Sequence, residues 1–288
     1  MDYISLSAHF KERYGGKLRK ICIDGGFTCP NRDGTCGVGG CIFCGERGAG
    51  EHIEAGVDIG GQVRRYFENP KKAEGYIAYF QNFTNTYAPI PVLKKRYDDA
   101  LIDERIKILS VGTRPDCINE EVSDLLASYK DRVDVFCELG LQTANDQTAQ
   151  IINRGYKTDV FERAVKILAE RGIEVVVHIM IGLPGEDKED LKRTVELINS
   201  LPVSGIKIHS VYVMEGTALA EMTRAGEYTP ISMEDYIERA VFVLSHIRRD
   251  IVVHRITGDC PPDLLVAPVW NKEKSRVINE IRARLAAL

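Results

Sequence analysis

Four of the chain's eight cysteines fall within one short glycine-rich stretch, Cys29-Pro-Asn-Arg-Asp-Gly-Thr-Cys36-Gly-Val-Gly-Gly-Cys41-Ile-Phe-Cys44. No packed core can form among so many glycines and polar residues. A Cys-x-x-Cys pair with further cysteines close in sequence points instead to a metal or an iron–sulfur cluster. Two arrangements compete on spacing alone: three thiolates on a catalytic cluster, or four on a structural zinc. The remaining cysteines are more dispersed. Cys22, Cys137 and Cys260 read as small buried hydrophobes, and Cys117 sits where it could face a substrate.

The elements that must position this loop follow from apolar runs and their punctuation. Short apolar runs at 20–23, 76–80, 106–111, 134–141, 174–181 and 205–213 read as six strands. Helical patterns at 57–67, 91–101, 118–129, 158–171 and 188–199 alternate with them. The stripe at 160, 161, 164, 165, 167 and 168 marks one buried helix face, and Gly172 stops that helix. Ser232-Met-Glu-Asp235 has a capping-box pattern that starts a helix running to about 247. Residues 251–255 read as one last strand and 275 onward as a final helix. Strands alternating with helices imply a parallel sheet. Each strand ends in a polar or glycine-bearing segment, at 24–26, 81–86, 112–116, 138–142, 182–186 and 214–217. In such architectures these ends form one rim where ligands bind, and the cysteine loop follows the first of them.

The totals set bounds. A chain of 288 residues, 44% apolar and 28% charged, has the length for one large domain. Eight cysteines without a recognisable leader fit a reducing cytoplasm, and no run approaches the roughly 18 apolar residues of a membrane span. A net charge of −4 gives no global footprint for nucleic acid. Local basic clusters occur at Lys17, Arg19 and Lys20, and at Arg248, Arg249, Arg255, Lys272, Lys274 and Arg276; each taken singly reads as solvated surface. The glycine pattern at 37–42 lacks the last glycine of a dinucleotide fingerprint, and no P-loop is present.

The motif set resembles the radical S-adenosylmethionine (SAM) superfamily, and within it the Elongator-like bacterial family of the YhcC/YtqA type. The resemblance rests on Asp24-x-Gly-Phe-Thr-Cys29-Pro-Asn-Arg-Asp-Gly-Thr35 and Gly39-Gly40-Cys41-x-Phe43-Cys44. It continues through Tyr79–Tyr87, Thr113-Arg-Pro-Asp116, Glu138-Leu-Gly-Leu-Gln142, Asn153-Arg-Gly155, His178–Gly185 and His254-Arg-Ile-Thr257. It implies a partial (β/α)6 TIM-like barrel at 20–222, preceded by a lead-in at 1–19 and followed by an α/β extension at 223–288 packed on the core. By this resemblance Cys29, Cys41 and Cys44 would ligate a [4Fe–4S] cluster whose fourth iron stays open for SAM. Cys36 falls outside the pattern, so a binding module stabilised by a four-cysteine zinc site remains the competing class. The family's chemistry is reductive cleavage of SAM to a 5′-deoxyadenosyl radical, with a flavodoxin- or ferredoxin-like protein as electron donor. Kinship to Elongator makes a tRNA base the leading substrate.

The same resemblance assigns roles on the rim. Phe80, Gln81 and Asn82 would hold the SAM amino group, and Thr113 and Arg114 would line its pocket. Glu138 and Gln142, four apart on a strand and hence on one face, would contact ribose hydroxyls and the methionine end. Arg154 would pair with the SAM carboxylate; Gly182, Val213 and Met214 would wall the adenine. An acid within Cys-Glu-Leu-Gly-Leu is a poor core residue unless it is paired. His178 and His209, inside the rim, read as hydrogen-bonded core or pocket histidines rather than metal ligands.

Overall fold

In a computed structural model that describes residues 3–48, 50, 51, 53 and 56–288, seven parallel strands form one curled sheet. In sheet order they are β1 (Leu18–Ile23), β2 (Gly75–Phe80), β3 (Ile106–Thr113), β4 (Asp134–Gln142), β5 (Glu174–Ile181), β6 (Gly205–Ser210) and β8 (Val252–Arg255). The helices between them are α2 (Ile59–Glu68), α3 (Ile90–Ala100), α4 (Glu120–Ala127), α5 (Asp146–Ile151), α6 (Thr158–Glu170) and α7 (Lys188–Ser200). The partial barrel expected from the sequence is therefore present, with a seventh strand supplied by the C-terminal region. Among the described residues no helix is long and apolar enough to cross a membrane.

Strand periodicity sorts the side chains. On one face Ile21, Ile23, Ala78, Leu109, Val111, Cys137, Leu139, Val177, Ile179, Ile206 and Ile208 meet the helices in the main core. Burying this face is what holds the helices on the sheet. The α6 stripe contributes Phe161, Ala164, Val165 and Leu168 to it, as its spacing predicts. The opposite, concave face begins with a small apolar cluster of Leu18, Ile77, Tyr79, Ile108, Phe136 and Val176. It then turns polar toward the strand ends.

An N-terminal helix, α1 (Leu6–Tyr14), lies where the sequence suggests only a lead-in. Its Phe10 joins the concave apolar cluster. Arg13 bridges Asp134 at 2.6 Å and Glu174 at 2.5 Å, the first residues of β4 and β5. The helix thus plugs the end of the barrel opposite the cysteine loop.

The apolar run at 205–213 predicts a sixth strand of that length. The strand stops at Ser210, whose hydroxyl accepts from Gly258 N at 3.0 Å and donates to Asn271 Oδ1 at 2.9 Å. The chain then leaves the sheet, and β7 (Val213–Met214) pairs antiparallel with β9 (Leu265–Ala267). The apolar run misleads because Val211 and Val213 stay buried in a second cluster beside α8 (Ala218–Arg224). The extension's α9 (Met233–His246) begins at the expected Ser232 cap and packs on α10 (Lys274–Ala286) and α7.

Candidate active site at the cysteine loop

Cys29, Cys41 and Cys44 line one cavity of ≈ 410 Å3 at the C-terminal ends of the strands. Cys36 does not line it and is exposed. The loop that brings three cysteines together is held mainly by polar contacts. Gly40 N donates to Asn31 O at 2.8 Å, and Cys44 N to Cys41 O at 3.0 Å. The Arg32 guanidinium clasps the loop's far end by donating to the carbonyls of Cys44 (3.2 Å), Gly45 and Glu46 (3.0 Å). Gly40 adopts φ +80°, and a Cβ there would meet Arg32 Nε at 2.8 Å, so a side chain would strain the backbone and push the clasping guanidinium aside.

The Asn153-Arg-Gly155 turn between α5 and α6 pins the loop from the other side. Asn153 Nδ2 donates to Gly40 O at 2.7 Å and Val38 O at 3.3 Å. Its own carbonyl accepts from Asn31 Nδ2 at 2.6 Å, and that amide also points to Cys41 Sγ at 3.9 Å. Asn153 sits at φ +51°; Phe83 and Gln142, the other non-glycine residues with positive φ among those described, both line the cavity. Such conformations cost of order 1–3 kcal/mol each and concentrate at functional sites.

The thiols are electrostatically distinct. A hydrogen bond from Cys41 lowers Cys44 to about 7 against the opposing effect of burial, and the guanidiniums of Arg32 and Arg114 add to the lowering. The same hydrogen bond, with burial, raises Cys41. Soft donors on one wall beside two cations suit an anionic, thiophilic group. Among the described residues no three His, Cys, Asp or Glu side chains converge on a single-ion position. A cubane makes a different demand, because each thiolate takes a separate iron.

Below the cysteines the cavity floor is built from inward positions of the strands. Glu138, only 2% exposed, accepts from Ser110 Oγ at 2.8 Å and His178 Nε2 at 2.9 Å, and is ion-paired with Lys207. Burial alone would raise its carboxyl; Lys207 and His178 outweigh that and hold it well below the usual carboxylate range. Burial first, then the charge of Lys207, depresses His178 to about 4, so it is neutral at neutral pH. Burial likewise depresses His209, whose ring lies 5.2 Å from that of His178. Tyr79 accepts from Lys207 Nζ at 3.2 Å, and its ring also faces Lys20 Nζ at 4.5 Å.

Four of the residues expected to contact the cofactor line this cavity: Gln81, Thr113, Glu138 and Gln142. Arg114 lines it too, held by Asp116 at 2.6 Å and donating to Arg154 O at 2.9 Å. The other six lie outside the lining. Phe80 is fully buried between the rings of Phe27 and Tyr97. Asn82 donates to Asp24 Oδ2 at 3.2 Å. Arg154 is 1% exposed and donates to the carbonyls of Leu141 (2.6 Å), Thr143 (2.7 Å) and Tyr156 (3.0 Å). It therefore braces the turn after β4 rather than facing the cavity. The Gly182 carbonyl accepts from Tyr228 at 2.6 Å, and Val213 and Met214 are engaged with β9.

Lys20, Cys22, Tyr79, Lys207 and Arg255 also line the cavity; Lys20 and Arg255, expected from the sequence as solvated surface, are instead half-buried there because their strand positions face the barrel interior. Cys22, expected as a buried hydrophobe, lines it as well. For Lys207, which sequence reading does not select, the available signal is the alternation Ile206-Lys207-Ile208-His209, which places two polar residues on one face of an otherwise apolar strand. Cys117 lies off the cavity, and burial raises its thiol.

Comparison with known proteins agrees with this geometry. The sequence matches the Radical SAM superfamily over residues 29–198 and the Radical_SAM C-terminal domain over 203–287. It is 38% identical to YtqA of Bacillus subtilis over 98% of this chain and 89% of that protein. A tRNA uridine(34) acetyltransferase of Methanocaldococcus jannaschii is 32% identical over 57% of this chain, a match that spans 30% of that larger protein. The structure of Elp3 from Methanocaldococcus infernus superposes with a TM-score of 0.64 at 22% identity, over 77% of this chain and 58% of that one, and so shares the fold. With three cysteines gathered at the rim of a partial barrel and these matches across its length, the chain is an enzyme of the radical SAM superfamily, in the Elongator-like family of the YhcC/YtqA type.

Proposed function

We propose that Cys29, Cys41 and Cys44 hold three irons of a [4Fe–4S] cluster, that SAM binds at the fourth, and that the enzyme modifies a tRNA base. The observation that carries the cluster assignment is the cavity lining, which includes these three cysteines while Cys36 is exposed. When bound, the cluster supplies the electron that cleaves SAM reductively, and that cleavage supplies the radical chemistry.

The chain's own residues orient and shield. Arg32 and Asn153 fix the cysteine loop by its carbonyls. Arg114 places positive charge beside the thiols. Gln142, held at φ +65° on the cavity wall, offers an amide toward the cofactor. Glu138 already has both oxygens engaged by Ser110, His178 and Lys207, which favours a role in setting the charge of the floor over direct ribose contact. The electron donor is proposed to be flavodoxin- or ferredoxin-like. The tRNA reading is supported by similarity to the M. jannaschii tRNA uridine(34) acetyltransferase over part of the chain.

Anaerobic reconstitution followed by iron, sulfide and zinc analysis tests the cluster. About four irons per chain are expected, with Cys41→Ala losing both iron and 5′-deoxyadenosine production and Cys36→Ala keeping them. A colourless protein with one zinc and no SAM cleavage would refute the assignment. Mass spectrometry of tRNA nucleosides with and without the gene tests the substrate; identical profiles would remove tRNA.

A further inference from the structure

The cavity floor holds more positive charge than the protein neutralises. Lys20 on β1, Lys207 on β6 and Arg255 on β8 all line it. Glu138 is the nearby carboxylate, and its oxygens go to Ser110, His178 and Lys207. Asp259, also in the lining, is paired with Lys274. Arg114 is paired with Asp116, and Arg32 is turned to loop carbonyls. Among the described residues, neither the Lys20 nor the Arg255 side chain has a hydrogen bond or an ion pair; Lys20 rests on the Tyr79 ring at 4.5 Å.

The register makes this imbalance specific. His178 pairs with Lys207, and Lys207 with Arg255, on three adjacent parallel strands. Neighbouring strands lie about 4.8 Å apart, so Arg255 stands beside Lys207 and shares no counter-ion with it, because Glu138 is already ion-paired with Lys207. Lys20 approaches from β1, the opposite edge of the sheet, and shares the Tyr79 ring with Lys207, whose Nζ lies 4.6 Å from the ring centre. His209, on the same inward face, has a buried Nε2 with no partner among the described residues. Two cations without a carboxylate partner and an imidazole nitrogen without a hydrogen bond among the described residues therefore line the floor of one cavity. Half-buried charge in that state lacks the partner that ordinarily offsets its desolvation.

We propose that this floor is an anion subsite in which Lys20 and Arg255, with the His209 imidazole beside them, bind a carboxylate or phosphate group of the substrate. Lys20 precedes the end of β1 whereas Cys29 follows it, so the subsite lies deeper in the barrel than the cysteine wall. The anion thus belongs to the molecule that enters below the cofactor. That last assignment rests on the radical SAM reading; the existence of the subsite does not.

The test titrates the purified full-length chain, before any cluster reconstitution, with sodium phosphate and separately with sodium malonate at constant ionic strength. Binding is read by calorimetry and by thermal stabilisation. Saturable binding of either anion is expected, and the one that saturates identifies the group. Lys20→Gln and Arg255→Gln should each weaken it by about tenfold or more, the size expected for loss of one charged hydrogen bond, while Arg255→Lys retains part of it. Circular dichroism checks that the variants fold, and having two on different strands keeps the test decisive if one does not. No saturable binding of either anion, or equal binding in both folded glutamine variants, overturns the subsite. SAM cleavage plays no part in this measurement, so failure of the radical SAM reading would leave it standing and would be seen separately.

Discussion

Glu138 shows how one buried charge organises the interior. An acid inside an apolar strand must have a partner, and that much the sequence says; which partner only the structure decides. Lys207 lies 69 residues away and two strands over. Removing one member of such a pair leaves an uncompensated charge at about 3–5 kcal/mol. Lys207→Met should therefore lower the denaturant midpoint severely, and adding Glu138→Leu should restore most of it; a double variant no better than the single would contradict the pairing. His178 makes a pH prediction at the same scale. It titrates near 6.5 when unfolded and about 4 when folded, facing Glu138 on β4, Lys207 and His209 on β6, and Arg255 on β8. As pH falls from about 6.5 to about 4, the unfolded chain takes up a proton that the folded one resists, so stability falls. His209 and His254, both depressed by burial, act in the same direction. The fall in the denaturation midpoint across that window should be smaller in His178→Gln than in the parent chain; the same pH dependence in both would show that His178 is not buried as described.

At the scale of elements, the cysteine loop and the α5–α6 turn form one unit although they are far apart in sequence. The motif resemblance gives Arg154 of Asn153-Arg-Gly155 to the cofactor; the structure instead turns all three residues to architecture. Gly155, at φ +81°, lets the turn approach Asn31 Oδ1, which a Cβ would meet at 3.0 Å. Asn153→Ala should free residues 36–44, raising their amide hydrogen exchange about tenfold or more, since two hydrogen bonds to the loop are lost. Exchange elsewhere should change little, and unchanged exchange in the loop would mean that the turn does not hold it. Helix α1 escapes sequence reading because Leu6–Tyr14 lacks a long apolar stripe; Phe10 is its one fully buried residue, with Leu6 and Tyr14 partly buried beside it.

For the whole molecule, the C-terminal region completes the sheet as well as packing on it. β8 covers the open edge of β6, and Tyr236, Ile237, Ala240, Val243 and Leu244 of α9 are buried. A chain ending at residue 222 would expose that edge and those contacts, and it should aggregate where the full chain elutes as a discrete species. A soluble 1–222 fragment with a cooperative thermal transition would show that the core stands alone. The cations of the proposed anion subsite also depend on this closure, since Arg255 sits on β8 while Lys20 sits on the opposite edge strand.

What the sequence determined by itself was local in origin: strands and helices from apolar period, the rim from polar strand ends, and from spacing a metal-binding cysteine loop of three or four ligands. These depend on contacts between near neighbours, which one chain displays directly. Tertiary structure decided what depends on register between distant strands. It turned Cys36 away from the cavity, drew Arg154 into the backbone of a turn, and brought Lys20, Lys207 and Arg255 to one floor. No periodicity encodes which inward residues become neighbours once the sheet curls, because that follows from strand pairing and stagger rather than from any single strand.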